Sequence, residues 1–457
     1  MTVLTQRTLR RRRHEPCDPA SLERNVRQLL AEKVTGTLVG IWLLVAEHLR
    51  LGTWDLLCGW SGQDSRSLAP RLALQLVHEA ALCRSGLRRT RTLSQRGFEL
   101  ANGLPFVASD PAVHQLLAKH TVAEAQNLQV ALGKIRQAGG DYGQRLVAID
   151  PHRMRSYSQR QMRRFRDNAK TRAYKVSPTF FMLDADSKQP VCCTIAPSDT
   201  TATTAGTELL DLAQKILNPA RGEFLVTADS EHLAADFLRH VQRHTPFDLL
   251  VPMTQQAALV RQLQTIPQTK FTRQWAGYAT CKRPYRMATR DAGNLTQFVQ
   301  RMGERPEKYH FNAFLCTADR PELPALTEDF PKRWHIEEFF NTEQALGWKR
   351  AGTLNLNIRY GQMTLALVAQ AVLHQLRQRL GQPFSTWTAD DMSKNLLAAL
   401  HGDVRVRGDT IVVTYYNAPE AHRLSQHYQG LPERLADKNI DPRIPWLYNF
   451  KLDFRFR

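Results

Sequence analysis

Long apolar runs are scarce in this chain of 457 residues. The most apolar stretch, LVGIWLLVA at residues 38–46, is roughly half as long as a helix that crosses a bilayer. The arginine-rich start, QRTLRRRRHEP, is not followed by an apolar segment or by a small-residue cleavage site. We therefore expect neither a membrane span nor a secretory signal peptide.

Cysteine is also scarce, and its pattern excludes two classes of small domain. The seven cysteines are odd in number, scattered, and never paired as CxxC. Such a distribution does not fit a disulfide framework or a zinc ribbon. We therefore expect a reducing, cytoplasmic setting.

Acidic residues are outnumbered by basic ones. There are 43 Asp and Glu against 62 Lys and Arg, which gives a net charge of +19 and a pI near 9.9. A surface of this charge attracts polyanions, of which nucleic acid is the commonest, with an anionic membrane surface as the competing partner. The rest of the composition, with 42% hydrophobic residues, is that of an ordinary globular protein with several domains.

The hydrophobic pattern of the sequence changes several times along the chain, and these changes predict a series of domains. Apolar residues recur at intervals of three and four through the first third, which indicates helices, read either as a DNA-binding domain or as a helical scaffold. Short β-branched runs then alternate with helical patterns. The predicted parts are a basic arm at 1–20, a helical N-terminal DNA-binding domain at 21–144, the first part of an α/β core at 145–254, a β-rich insertion at 255–327, the second part of the core at 328–383, and a C-terminal region at 384–457.

Two predicted strands of the core end in aspartate. RLVAIDP at 145–151 carries Asp150, and EFLVTADS at 223–230 carries Asp229. Between them, TFFMLDADSKQPVCCTIAP reads as two strands joined by a polar turn at residues 186–188. The order predicts an α/β sheet with an antiparallel hairpin near its start.

Carboxylates at strand ends project into the crevice where α/β folds place their chemistry. Asp150 and Asp229 could therefore share metal ions, and Mg²⁺ prefers such hard oxygen ligands. For either residue alone, a turn or helix cap is the simpler reading. Glu337 is the candidate third carboxylate, because the apolar residues around it in FPKRWHIEEFF (330–340) predict that this helix faces protein.

These residues resemble a signature of DDE transposases, in the branch that cuts and pastes through DNA hairpins (Tn-five-like insertion-sequence transposases). That signature is tyrosine, two residues, arginine, three residues, catalytic glutamate, six residues, lysine. Phe330, Arg333 and Glu337 have these spacings, with phenylalanine in place of tyrosine. Gln344 stands at the lysine position, and the nearest downstream base is Lys349.

The resemblance implies an RNase H-like core, a mixed sheet flanked by helices, with a β-rich insertion before the catalytic glutamate. It implies that Asp150, Asp229 and Glu337 are catalytic and hold two Mg²⁺ (or Mn²⁺) ions. Arg333, one helical turn before Glu337, would lie on the same face and hold a DNA phosphate. Glu338 points about 100° away and is expected to be structural, with a register in which it replaces Glu337 as the alternative. The expected helix begins near residue 329 and is long.

The resemblance also implies a function. The protein would be a bacterial transposase that pairs inverted-repeat ends of double-stranded DNA as a homodimer, cuts them, and joins them to target DNA. The basic segment at 152–170 is interpreted as a DNA-facing surface, against the alternative of a solvated helix. The residues predicted to contact DNA are Arg153, Arg155, Arg160, Arg163, Arg164, Arg333 and Lys349. Trp275 or Tyr278 could stack on a flipped base, but core packing is the expected use of both.

Other functions remain open at this point. An RNase H-like nuclease or resolvase would share the carboxylates but would not prefer element ends. A catalytically inactive regulator would bind DNA without cutting it, and a basic scaffold for RNA would do neither. A zinc hydrolase built on His152 and His232 is disfavoured, since no further ligands lie at suitable spacing.

Overall fold

The computed structural model describes residues 18–84, 89–143, 145–157, 159, 161–162, 164–166, 171–196, 201–287, 291–353 and 355–457. The chain divides into two compact units. We call the first, residues 1–132 with 342–457, the helical unit, and the second, residues 133–341, the α/β unit.

The α-helices of the described residues are mostly short. Their bounds are α1 Pro19–Ala31, α2 Trp42–Leu51, α3 Thr53–Ser61, α4 Leu68–Ala81, α5 Arg89–Leu93, α6 Arg96–Ala101, α7 Asp110–Lys119, α8 Val122–Ala138, α9 Ala202–Leu217, α10 Ala235–His244, α11 Ala257–Gln264, α12 Glu322–Pro324, α13 His335–Glu343, α14 Leu356–Leu380, α15 Ala389–Met392, α16 Ala421–Tyr428 and α17 Leu431–Ala436. Among these described helices, none is long and apolar enough to cross a membrane.

The strands of the described residues fall into two sheets. Their bounds are β1 Val34–Gly36, β2 Leu146–Ser156, β3 Arg164–Phe165, β4 Tyr174–Asp184, β5 Gln189–Ile195, β6 Leu225–Ala228, β7 Asp248–Pro252, β8 Thr272–Trp275, β9 Tyr278–Tyr285, β10 Leu295–Met302, β11 His310–Cys316, β12 Arg350–Ala351, β13 Gly402–Arg407, β14 Thr410–Tyr415 and β15 Lys451–Phe456.

The helical unit is organised around α14. Most of its 25 residues are apolar and buried, and it packs against α2, α4 and α7. A small sheet of order β1-β13-β14-β15 completes the unit. The hairpin turn at Gly408-Asp409 joins β13 to β14, and Gly408 takes a positive φ of 61° that suits glycine.

The α/β unit contains one large mixed sheet. Its order is β3-β4-β2-β6-β7-β11-β10-β9-β8, with β5 pairing on β4. β2, β6 and β7 are parallel, whereas β4 runs antiparallel to β2 and forms the predicted hairpin with β5. The mixed α/β architecture predicted from the sequence is therefore present.

The strands of the predicted insertion belong to the same sheet. β11 pairs antiparallel with β7, and β10, β9 and β8 follow outward as a meander. One face of this extension packs on α11 through a buried cluster that includes Leu263, Val299 and Phe311. The extension is thus continuous with the core.

Two local predictions are wrong. The long helix expected from residue 329 is broken: a π-helical turn at Ala325–Asp329 and a 3-10 turn at Pro331–Trp334 precede the nine-residue α13. Pro331 has no backbone N–H, so a regular ladder cannot pass through it. The predicted strand end at Asp150 is also wrong, because β2 runs on to Ser156, so residues 152–156 are strand and not the solvated helix considered for that stretch.

Candidate active site

The register of two parallel strands brings the two aspartates together. Ile149 of β2 lies beside Ala228 of β6, so the next residue on each strand is an aspartate, Asp150 and Asp229. β6 ends there, while β2 continues and pairs Asp150 with Phe181 of β4. The two carboxylates therefore lie side by side where β6 ends, although only Asp229 stands at a strand end as predicted.

Asp229 is held in place by the turn that follows it. It caps the 3-10 turn Ser230–His232, where its Oδ1 accepts the N–H of Glu231 at 3.1 Å and the Nδ1–H of His232 at 2.9 Å. Burial alone would raise the pKa of Asp229, but the hydrogen bond and charge of His232 outweigh it and hold that pKa below its usual value. Asp229 therefore keeps its negative charge.

Asp150 is the more strongly perturbed carboxylate, with a side chain that is only 16% exposed. Burial, followed by repulsion from Asp229 and Glu337, raises its pKa to about 7, although Arg333 and Arg153 oppose this rise. Crowded carboxylates of this kind mark functional sites, since several negative charges together are costly without a cation.

Arg333 lies between Asp150 and Glu337. Its Nη1 is 3.4 Å from Oδ1 of Asp150, and its Nη2 is 3.3 Å from Oε1 of Glu337. The arginine precedes Glu337 by four residues, so both lie on one side of the helical segment. One guanidinium thus joins the strand carboxylate to the helix carboxylate.

Glu338 faces elsewhere. Its Oε2 accepts a hydrogen bond from Nζ of Lys188 at 2.7 Å, and this contact lowers the pKa of Glu338. The neighbouring Ile336 and Phe339 are buried. Of the two adjacent glutamates, Glu337 is therefore the one that the structure brings to Asp150.

Aromatic rings fix α13 against the sheet. His152, two residues after Asp150 on β2, stacks on Phe340 with ring centroids 4.3 Å apart. Phe181 meets Phe340 edge-on at 5.3 Å. Phe330, the aromatic residue of the signature, packs on Phe314 of β11 at 4.8 Å. His152 is therefore a packing residue of the sheet.

The predicted DNA-contacting residues are spread over several elements. Arg153 pairs with Glu231 and lies 4.1 Å above the ring of Phe165, while Arg155 lies 4.4 Å above that of Tyr174. The exposed Arg164 lies on β3 of the same sheet. Arg160 and Arg163 lie outside the described residues, and Lys349 belongs to the helical unit.

The expectation that Trp275 and Tyr278 pack in the core is wrong. Their rings stack on each other at 4.3 Å across the β8–β9 hairpin, and Trp275 is 51% exposed. The hairpin lies at the outer edge of the sheet, and none of the described strands lies beyond β8 to cover the indole.

The chemistry of the carboxylates fits hard divalent cations. Asp150, Asp229 and Glu337 offer only oxygen donors, and the repulsion that raises the pKa of Asp150 is of the kind a cation relieves. Within the described part of the chain, no three His, Cys, Asp or Glu side chains are already arranged as a metal cluster. In this arrangement the guanidinium of Arg333 supplies the positive charge between Asp150 and Glu337.

His232 has a role that its sequence context did not predict. The expectation concerned only a zinc ligand, whereas the residue is buried with its Nδ1 on Asp229. The signal was present, because a histidine three residues after a turn-capping aspartate is within reach of that carboxylate.

Comparison with known proteins identifies the family of the chain. A sequence profile described as "Transposase DDE domain" matches residues 141–371, slightly more than half of the chain. Among solved structures, a piggyBac transposase synaptic complex with hairpin DNA is 10% identical, with a TM-score of 0.39 over 78% of this chain and 79% of that chain. No curated protein matches. The profile match spans Asp150, Asp229 and Glu337, and the chain belongs to the transposase DDE domain family, whose members are enzymes of DNA cleavage and strand transfer.

Proposed function

We propose that the protein is a cut-and-paste DNA transposase of the hairpin-type, Tn-five-like branch, acting at inverted-repeat ends with Asp150, Asp229 and Glu337 as its catalytic carboxylates. The observation that carries this proposal is the meeting of the three: two in register on parallel strands, the third linked to the first through Arg333. The sheet that holds them is proposed to be an RNase H-like core.

The same three carboxylates are proposed to hold two Mg²⁺ (or Mn²⁺) ions. When bound, such ions activate an attacking oxygen and stabilise the leaving one in phosphodiester hydrolysis and transesterification. Asp229 suits this role because His232 keeps it charged and oriented. Asp150 suits it because its buried carboxylate is repelled by Asp229 and Glu337, and a cation relieves such repulsion.

Arg333 is proposed to hold a DNA phosphate. Its guanidinium is 17% exposed and lies at the same sheet edge as the carboxylates. A planar fork of N–H donors matches the oxygens of a phosphate. The guanidinium would bind the scissile or an adjoining phosphate of DNA held at this site.

Double-stranded DNA is the proposed partner, bound by a homodimer that pairs two element ends. On the α/β unit, Arg153 and Arg155 lie on β2, the strand that carries Asp150, and Arg164 lies on β3, with β4 between the two strands. Lys349 is proposed as a further contact, and Arg160 and Arg163 stay predictions. The cytoplasmic setting also stays a prediction.

The proposal is tested in a cleavage assay with purified protein and labelled duplexes, whose sequence is taken from the DNA that flanks its gene. With Mg²⁺ or Mn²⁺, we expect a nick at the element end and then covalent joining of the freed 3′ end to a supercoiled plasmid. Asp150→Asn, Asp229→Asn and Glu337→Gln should each bind the duplex and neither cut nor join it.

Two outcomes would contradict this function. Cleavage of branched DNA without preference for the flanking sequence and without joining would indicate a nuclease or resolvase. Binding of the flanking duplex without cleavage by the wild type, under any divalent ion, would indicate a regulator.

A further inference from the structure

The turn between β4 and β5, residues 185–188, is rigidly built. Asp184 is fully buried, and its Oδ1 accepts the N–H of Ser187 at 2.8 Å. Its other oxygen accepts the N–H of Gly143 at 2.9 Å. A methyl group added at Gly143 would come within 2.8 Å of the Asp186 side chain, so the chain before β2 also confines the turn.

This turn contacts the helical segment that carries Glu337. Nζ of Lys332 lies 2.5 Å from Oδ1 of Asp186. Three residues later, Nδ1 of His335 donates a hydrogen bond to the backbone carbonyl of Ala185 at 2.7 Å. The carbonyl can only accept, so Nδ1 of His335 carries the proton.

A third contact continues the row. Nζ of Lys188 donates to Oε2 of Glu338 at 2.7 Å. Lys332, His335 and Glu338 follow at intervals of three, so they form one stripe along the segment. We call the turn at 185–188, together with the stripe of Lys332, His335 and Glu338, the clamp.

The segment therefore presents three different faces. The stripe of Arg333 and Glu337 lies next to the clamp stripe, rotated by about 100°, and faces Asp150. The remaining face is apolar, with Ile336 and Phe339 buried. The adjacent glutamates thus lie on two different faces. Glu337 faces the carboxylate site, and Glu338 belongs to the clamp.

We propose that the clamp sets the rotation and the axial position of α13, and that Glu338, Lys188, Lys332 and Asp186 are positioning residues for Glu337. This inference rests on the proposed function, because it presumes that Glu337 acts in cleavage. The aromatic stack holds α13 against the sheet, and the two ion pairs and the hydrogen bond to the turn add directional contacts that specify one rotation and one axial position. A displacement of about 1 Å in such a group costs roughly 10²-fold in rate.

A charge exchange tests the clamp. Glu338→Lys places two lysines opposite each other, and the double variant Glu338→Lys with Lys188→Glu restores an ion pair of reversed sign. The matched control is the exposed pair of Arg243 and Asp291 in the same unit, whose atoms lie 3.3 Å apart. Its exchange, Asp291→Lys with Arg243→Glu, leaves the clamp intact.

The readouts are the cleavage rate, the KM for DNA, and hydrogen exchange of the amides at 331–340. For Glu338→Lys we expect cleavage about 10- to 100-fold slower, an unchanged KM, and faster exchange in this segment. The double variant should recover both the rate and the protection, and the control exchange should alter neither.

The outcomes separate the clamp from the proposed function. The positioning role is overturned if Glu338→Lys cuts at the wild-type rate, or if the double variant recovers protection without recovering cleavage. If the wild type cuts no DNA, the proposed function fails. In that case hydrogen exchange alone tests the clamp. Loss of amide protection in Glu338→Lys and its recovery in the double variant would support the clamp, and unchanged protection in Glu338→Lys would overturn it.

Discussion

At the scale of the residue, the central feature is one guanidinium shared by two carboxylates. Arg333 contacts Asp150 and Glu337 at 3.4 and 3.3 Å, and only its planar fork can reach both at once. The arginine lowers the cost of placing negative charges together at the sheet edge. It also keeps the strand and the helix in a fixed relation before DNA arrives.

Replacing this fork by a point charge should impair cleavage. Arg333→Lys keeps the positive charge but contacts one carboxylate at a time, so we expect a rate about 10- to 100-fold lower. Single-turnover cleavage measures the effect. Arg243→Lys, an exposed change in the same unit, should cut at the wild-type rate, and an unimpaired Arg333→Lys would contradict the bridging role.

The crowding of carboxylates should be visible in stability. Without divalent ions, Asp150→Asn removes a buried charge that is repelled by Asp229 and Glu337, and we expect the Tm to rise by about 2–4 °C. Added Mg²⁺ should raise the Tm of the wild type more than that of the variant. Equal stabilisation of the two proteins by Mg²⁺ would argue against Asp150 as a ligand.

At the scale of the element, the site depends on strand ends and on a short helix. The strand end at Asp229 could be predicted, because an apolar run closed by a polar residue is a local pattern, but the same pattern failed at Asp150, where β2 continues to Ser156. The β4–β5 hairpin was predictable for the same reason. Pairing of β11 with β7 could not be, since neither strand encodes its partner locally.

The break before α13 was predictable in principle from Pro331, but the aromatic and apolar residues after it dominate the helical pattern. Glu337 was identified through its spacing to Arg333. The structure adds the contacts that hold its helix in place, which spacing cannot supply. Contacts with residues 150 positions or more away, such as that of Lys188 with Glu338, arise only when the chain folds. The domain boundaries proposed from the sequence stay predictions.

The packing of α13 on the sheet gives a prediction at this scale. Phe340 lies under the ring of His152 and against Phe181. Phe340→Ala should lower the free energy of unfolding of the α/β unit by about 3 kcal/mol, and Phe340→Leu by less than half of that. Urea denaturation followed by hydrogen exchange in the unit measures both. Equal stability of the two variants would show that the aromatic stack does not anchor the helix.

At the scale of the whole molecule, the helical unit contains a buried network that responds to acid. Nε2 of His48 lies 3.1 Å from Nε2 of His78, and Asn102 and Thr53 hold the outer nitrogens. Burial lowers the pKa of His78 from 6.5 to about 4, and that of His48 well below its usual value. Both rings are therefore neutral in the folded protein.

The sign of the pH effect follows from these shifts. Below pH 6.5 the unfolded chain binds protons that the folded histidines do not, so stability is complete above pH 6.5 and declines as the pH falls towards 4. His78 alone accounts for a loss of about 3 kcal/mol. Thermal unfolding from pH 7.5 to 4.5 should show this decline. His78→Gln should flatten it, while the exposed His422→Gln should not.

The central claim is that Asp150, Asp229 and Glu337, and not the neighbouring glutamate, form the catalytic centre. The most direct test compares Mg²⁺-dependent cleavage by the wild type, Glu337→Gln and Glu338→Gln, with DNA binding measured in the same preparations. We predict that Glu337→Gln falls below about a thousandth of the wild-type rate. Glu338→Gln should lose only about tenfold, as expected for a weakened clamp. Cleavage by Glu337→Gln together with its loss in Glu338→Gln would contradict the account.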